Sequence, residues 1–362
     1  MQDKFFTTTI KCDWEGFLRC IKRDGEPDRI YFIELFIDPE IKQAICERFE
    51  LMDGIKPNDE WYEQKREIAV QRFLGYDFVR CGLENIEFQL RWDHSEDTSL
   101  FKRSEGRRFV NEHSGPITNW GEYEAYPWPD VNAATSRALE WYEKNLPDDM
   151  CVIASGGFAH FAEFLNWLMG YETLCYALFD NRNLVKAISD RLVDFYRVMA
   201  DKFLQFERVK ILWGSDDMGF RSGTLISPDD LREFVLPGHK MLAKISHNAD
   251  RPYLLHSCGK LESVMDDLIE DVGIDAIHSF EDTIIDVIAA KQRYGDKTAL
   301  LGGIDVDFLC RADERQIRSR VKHTLDNCQP GGGFCLGTGN SVTNYIPLDN
   351  YLIMLDEGRK YK

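Results

Sequence analysis

His256 and Cys258, two positions apart in His256-Ser257-Cys258-Gly259, are the side chains with the most specific chemistry in this chain. They follow the short apolar run Pro252-Tyr253-Leu254-Leu255, which reads as a strand. Residues i and i+2 of a strand project to one side, so an imidazole and a thiolate converge at its end. Nitrogen and sulfur are the donors that Zn2+ selects, and a catalytic zinc site uses three protein ligands with a fourth position open. Gly259 lets the chain turn sharply afterwards. A cysteine is also a common buried filler, so the pair needs support from other parts of the chain.

Holding such a pair at a rim requires a framework, and short β-like runs alternate with longer helical ones along most of the sequence. Strands are expected at 29–36, 76–80, 151–155, 210–214, 252–255, 274–279, 299–304 and 332–336. Helical patterns are expected at 38–48, 58–74, 133–144, 161–168, 184–206, 261–270, 284–293, 313–327 and from 348 onward. Ser227-Pro228-Asp229-Asp230 reads as a helix start, with Ser as N-cap and Pro in the first turn. The segment 87–111 breaks the rhythm with two alternating runs around a loop, which reads as an inserted hairpin. The aromatic, Pro-rich stretch 120–130 reads as a packed connector. Eight strands each followed by a helix imply the α/β class, a (β/α)8 TIM barrel with an early β-hairpin insertion. No repeat or linker interrupts it, so residues 1–362 are expected to form one domain.

A barrel of this kind carries its site at the carboxyl ends of its strands. The residues expected there are Glu34, Arg80, Ser155 to Phe158, Asp216 and Asp217, His256 and Cys258, His278 and Glu281, Asp305 and Asp307, and Cys335 to Asn340. Cys335 can supply a third zinc ligand, and Glu281 can hold a fourth position that substrate displaces. Glu34, Asp216 and Asp217 suit substrate hydrogen bonding or proton transfer. Phe158, Trp213 and Phe220 can wall an apolar pocket. The residue types leave a structural role open for each: Cys335 as filler, Glu281 or Asp216-Asp217 at helix starts, Asp305 in a turn, Glu34 paired with an arginine, and His278 and the aromatics in the core. The glycine clusters at 331–333 and 337–339 match neither a P-loop nor a dinucleotide fingerprint.

The bulk numbers narrow the partners. A net charge of −18 argues against nucleic acid and against an anionic membrane surface. No apolar run approaches a membrane span, and Met1-Gln2-Asp3-Lys4-Phe5 lacks the apolar core of a leader, so the expected location is cytoplasmic. Ten scattered cysteines without a CxxC pair fit reduced thiols in a cytosolic enzyme.

The chain resembles the uroporphyrinogen decarboxylase superfamily and, within it, the zinc-dependent corrinoid methyltransferases of the methylcobamide:coenzyme M type. The resemblance is carried by Glu26-Pro27-Asp28-Arg29-Ile30, Tyr126-Pro127-Trp128-Pro129, Gly214-Ser215-Asp216-Asp217-Met218-Gly219 and Leu225-Ile226-Ser227-Pro228. It continues through Glu233-Phe234-Val235-Leu236-Pro237, His256-Ser257-Cys258-Gly259, Gly302-Gly303-Ile304-Asp305 and Pro347-Leu348-Asp349-Asn350. It implies zinc held by His256 and Cys258, with Cys335 at about the distance of the third ligand and Glu281 as an acidic group near the metal. The family's final Cys usually sits in a Pro-Gly-Cys turn. Here the segment runs Phe334-Cys335-Leu336-Gly337-Thr338-Gly339-Asn340, so Thr338 or Asn340 can equally occupy that position. The resemblance further implies methyl transfer between a small substrate, an aryl methyl ether or a thiol, and cobalamin carried by a partner corrinoid protein. The chain has no Asp-x-His-x-x-Gly corrinoid motif of its own. The alternative is a metal-free lyase acting on a tetrapyrrole. Against it, the decarboxylases' Arg-rich N-terminal motif is missing, and Asn166 stands roughly where they carry an active-site Tyr.

Overall fold

The computed structural model describes residues 5–103 and 105–361; the N-terminal Met1–Lys4 segment read above for a leader lies outside them. Eight parallel strands form its centre: β1 (Tyr31–Phe32), β2 (Phe78–Cys81), β3 (Cys151–Ala154), β4 (Val209–Ser215), β5 (Tyr253–His256), β6 (Ala276–His278), β7 (Ala299–Ile304) and β8 (Phe334–Thr338). Their order is β1-β8-β7-β6-β5-β4-β3-β2, the curled sheet of a (β/α)8 fold. Nearly every strand residue is buried, as expected for strands covered on both faces. Among the described residues no backbone ladder joins β1 to β2.

The expected first strand is the one most shortened. Ile33 N–H still donates to Leu336 O at 3.0 Å. One rung further, Thr338 N–H is taken by the Glu34 side chain at 2.9 Å instead of a backbone carbonyl. The expected insertion is an antiparallel hairpin of Trp92–Ser95 and Arg107–Val110, its first arm a few residues later than the pattern suggested. Ser227 caps the helix Pro228–Phe234, accepting from Asp230 N–H. The stretch 120–130 begins with a helix, Trp120–Ala125, where a connector was expected. Where a helix was read at 261–270, turns lead into a π-helical segment, Asp267–Val272. Trp14–Ile21 and Tyr171–Asp180 are further helices without a counterpart in that reading.

Candidate active site

The last residue of β5 begins the site. His256 Nδ1 lies 2.7 Å from His278 Nδ1, at the end of the neighbouring β6. His278 Nε2 lies 3.3 Å from the backbone carbonyl of Thr338 on β8. A carbonyl only accepts, so His278 Nε2 carries the proton and donates it. Burial drives the His278 pKa well below that of a free imidazole, so its ring stays neutral. Its Nδ1 is then an acceptor and takes the proton of His256 Nδ1. The His256 Nε2 lone pair is left pointing the other way.

That lone pair meets two more donors of electrons. Asp217 Oδ1 is 3.4 Å from His256 Nε2, and Cys258 Sγ is 3.6 Å from it. These three ligand atoms all lie within 4.8 Å of one another. Tetrahedral zinc with bonds of about 2.0 to 2.3 Å separates nitrogen from oxygen by about 3.4 Å and nitrogen from sulfur by about 3.6 Å. The donor set and its spacing therefore fit zinc. Burial alone would raise the Asp217 pKa, but the contacts with His256 and with Cys258 N–H, the latter at 2.8 Å, pull it down to about 2. Burial and the Asp217 charge push the Cys258 thiol up, so without a cation it stays protonated and unreactive. Asn340 Nδ2 donates to Cys258 Sγ at 3.2 Å. Gly259 follows with φ +92, and a Cβ there would meet the backbone of Gly219 at 2.1 Å.

Other expected site residues fall elsewhere. Cys335 is turned away from this cluster: its Sγ packs 3.9 Å from Cys20 Sγ, fully buried near the start of β8. The three-residue step from Cys335 to Thr338 carries the chain along the strand, so this second sulfur never reaches the rim. Asp216 is also structural. Its carboxylate accepts from Ala162 N–H at 2.9 Å, Glu163 N–H at 3.0 Å and His239 Nε2 at 2.9 Å, anchoring the start of the helix Phe161–Met169. Asp305 caps the helix Val306–Arg311. Glu281 lines an open cleft of about 990 Å3 together with Asn340, and its charge acts on Cys258, but it is not in the three-residue cluster. Phe220 stands on an exposed two-stranded hairpin against Tyr171. Asn166 is buried within the helix Phe161–Met169.

A cavity of about 770 Å3 opens beside the seam between β1 and β2, lined by Glu34, Arg80, Phe158, His160, Trp213 and the Ser155–Gly157 loop among others. Glu34 accepts from the N–H and hydroxyl of Thr338. Burial lifts its pKa to about 8 against those hydrogen bonds, so it is largely neutral at pH 7. Phe158 and Trp213 face the cavity while packed in the core, with Trp213 edge-on to His278 at 5.8 Å. Two features had escaped the sequence. Asp217, named for substrate hydrogen bonding or proton transfer, stands beside His256 and Cys258 in a group that could hold a metal ion. His160 pairs with Glu163, and the i, i+3 spacing at the start of a helix is the signal that would have found them.

Comparison with known proteins places the chain in a family and a fold. The family model described as "Uroporphyrinogen decarboxylase (URO-D)" matches residues 136–361. The chain is 25% identical over 279 residues to a uroporphyrinogen decarboxylase of Pseudoalteromonas atlantica, covering 72% of this chain and 73% of that protein. It is 33% identical over 130 residues to the methylated-thiol–coenzyme M methyltransferase of Methanosarcina mazei, covering 36% of this chain and 32% of that one. It is 31% identical over 130 residues to the methylcobamide:CoM methyltransferase MtaA of Methanosarcina barkeri, 36% of each chain. In fold it is similar to a methyltransferase from Methanosarcina mazei, with a TM-score of 0.68 at 14% identity over 95% of this chain and 97% of that one. With the matched family model spanning well over half of its length, the chain belongs to the uroporphyrinogen decarboxylase family.

Proposed function

We propose that this enzyme is a zinc-dependent methyltransferase that moves a methyl group between a small substrate and the cobalt of a partner corrinoid protein. The observation that carries the reading is the convergence of His256 Nε2, Cys258 Sγ and Asp217 Oδ1 at zinc-like separations, with the imidazole lone pair turned inward by His278. The similarity to two methyltransferases supports it, though each match spans about a third of those proteins. Bound there, zinc supplies Lewis acidity toward a thiol acceptor or an ether oxygen. The protein's own groups do the rest. His278 fixes the His256 tautomer, Asn340 favours the Cys258 thiolate by donating to it, and Cys258 N–H orients Asp217. Glu34, in its neutral form, offers a proton at the cavity wall. Departure from the Pro-Gly-Cys turn favours the demethylating direction, with an aryl methyl ether as donor. That the cluster among the described residues holds one sulfur, from Cys258, and not a second from Cys335 points the same way. Ten unpaired cysteines support a reducing compartment such as the cytoplasm.

The test is metal analysis of purified protein beside His256→Ala and Cys258→Ala. Near-stoichiometric zinc in the wild type, lost in both variants, is expected. A wild type without zinc removes the proposal. A second reading, a metal-free lyase acting on a tetrapyrrole, is favoured by the longer match to a decarboxylase. It requires turnover of a porphyrinogen by protein stripped of metal.

A further inference from the structure

The 770 Å3 cavity contains a cation without a counter-ion. Arg80, at the end of β2, donates from Nε to Ser155 Oγ at 3.1 Å and from Nη1 to the backbone carbonyl of Glu34 at 3.5 Å. Its guanidinium lies over the Trp213 indole, 4.3 Å from the ring centre. Among the described residues no carboxylate stands within ion-pair distance of it. Of the other carboxylates lining the cavity among the described residues, Glu84 is exposed, has no side-chain partner and makes no ion pair with Arg80, and the rest are already paired or neutral. Glu67 is held by Lys42 at 2.5 Å and by Gln71 at 2.8 Å. Glu63 is held by Arg66 at 2.5 Å. Glu34 is largely neutral at pH 7. Burial presses the Arg80 pKa down to about 9, opposed only by the more distant Glu67, so its charge is kept at a cost.

A second observation points to the same ligand. Gly156 and Gly157 follow Ser155 with φ of +83 and +66, and they line the same cavity. Their backbone N–H groups have no acceptor among the described residues. A planar fork with spare N–H donors, an aromatic plate beneath it and free amides nearby form a binding place for a carboxylate.

We infer that Arg80, with the Ser155–Gly157 loop, binds the carboxylate of a substrate whose remaining body lies in the cavity against Trp213 and Phe158. The class is a small aromatic or similarly flat monocarboxylate. In calling this ligand the methyl donor, the inference rests on the function proposed above; the anion subsite itself does not.

Isothermal titration with benzoate, benzamide and inorganic phosphate tests it on the wild type, Arg80→Met and Arg80→Lys. Benzoate binds the wild type at least roughly tenfold more tightly than benzamide, and Arg80→Met abolishes that preference. Arg80→Lys keeps the charge but loses the fork, so it binds benzoate more weakly than the wild type. It also reports on the site if Arg80→Met fails to fold. The inference is overturned if benzoate does not bind at millimolar concentration, binds no better than benzamide, or is matched by phosphate. Preference that survives in Arg80→Met overturns it too. None of these titrations requires zinc or corrinoid. Protein that prefers benzoate but holds no metal would lose the methyltransferase reading and keep the carboxylate site. Protein that holds zinc without the preference would do the reverse.

Discussion

Replacing His278 by Phe isolates the group that aims His256 without touching any expected ligand. His278 is fully buried, 2.7 Å from His256 Nδ1 and edge-on to Trp213 at 5.8 Å. Phenylalanine keeps a ring of similar size against Trp213 but removes the acceptor for the His256 proton. A buried N–H left unpaired costs about 1 to 3 kcal/mol. His256 recovers that cost by moving its proton to Nε2 or rotating, and either response withdraws the lone pair from Asp217 and Cys258. Loss of such a supporting partner typically weakens metal binding about 10- to 100-fold, or about 1.4 to 2.7 kcal/mol. The two estimates agree, so the predicted fall in zinc affinity is of that order. Competition with a chromophoric chelator measures it, and circular dichroism checks that the fold is kept. Zinc affinity within twofold of the wild type in a folded variant would refute the tautomer argument.

Three further outcomes follow from the same geometry. Asp216→Ala strips the shared acceptor from Ala162, Glu163 and His239, so denaturant unfolding should show a loss of about 2 to 4 kcal/mol, while folded protein still binds zinc. The Glu34 carboxyl is raised from 4.5 to about 8 in the folded chain, so the stability it contributes is intact below pH 4.5 and is lost as pH rises to 8. Relative to Glu34→Gln, the wild type should therefore lose roughly 4 kcal/mol between pH 5 and pH 9; a flat difference would show that Glu34 is not protonated in the fold. Gly259→Ala forces a side chain into φ +92 and onto the Gly219 backbone, so Cys258 shifts, and zinc content and melting temperature should fall together.

The barrel was legible because buried parallel strands and amphipathic helices impose different periods on the sequence. Strand boundaries at β7 were read without error, since Ala299–Ile304 is apolar throughout and ends at a capping Asp. β1 was overextended because periodicity does not reveal that the Glu34 side chain takes over a ladder position from the backbone. At the site, His256 and Cys258 were visible because i, i+2 spacing at a strand end is a local signal. Cys335 was misjudged because nothing local says how far along β8 the rim begins. Asp216 and Asp217 are adjacent in sequence and alike in chemistry, yet one anchors a helix and the other faces His256. Only the direction of each side chain at the end of β4 separates them. Arg80 was visible as a residue at a strand end, but its lack of a counter-ion is a property of the assembled cavity.

Zinc K-edge absorption on the purified wild type tests the central claim most directly. The account predicts one sulfur scatterer at about 2.3 Å and nitrogen or oxygen scatterers at about 2.0 to 2.2 Å, with the bound zinc and its sulfur signal lost together in Cys258→Ala and both unchanged in Cys335→Ala. Two sulfur scatterers in the wild type, or zinc retained with an unchanged first shell in Cys258→Ala, would contradict it.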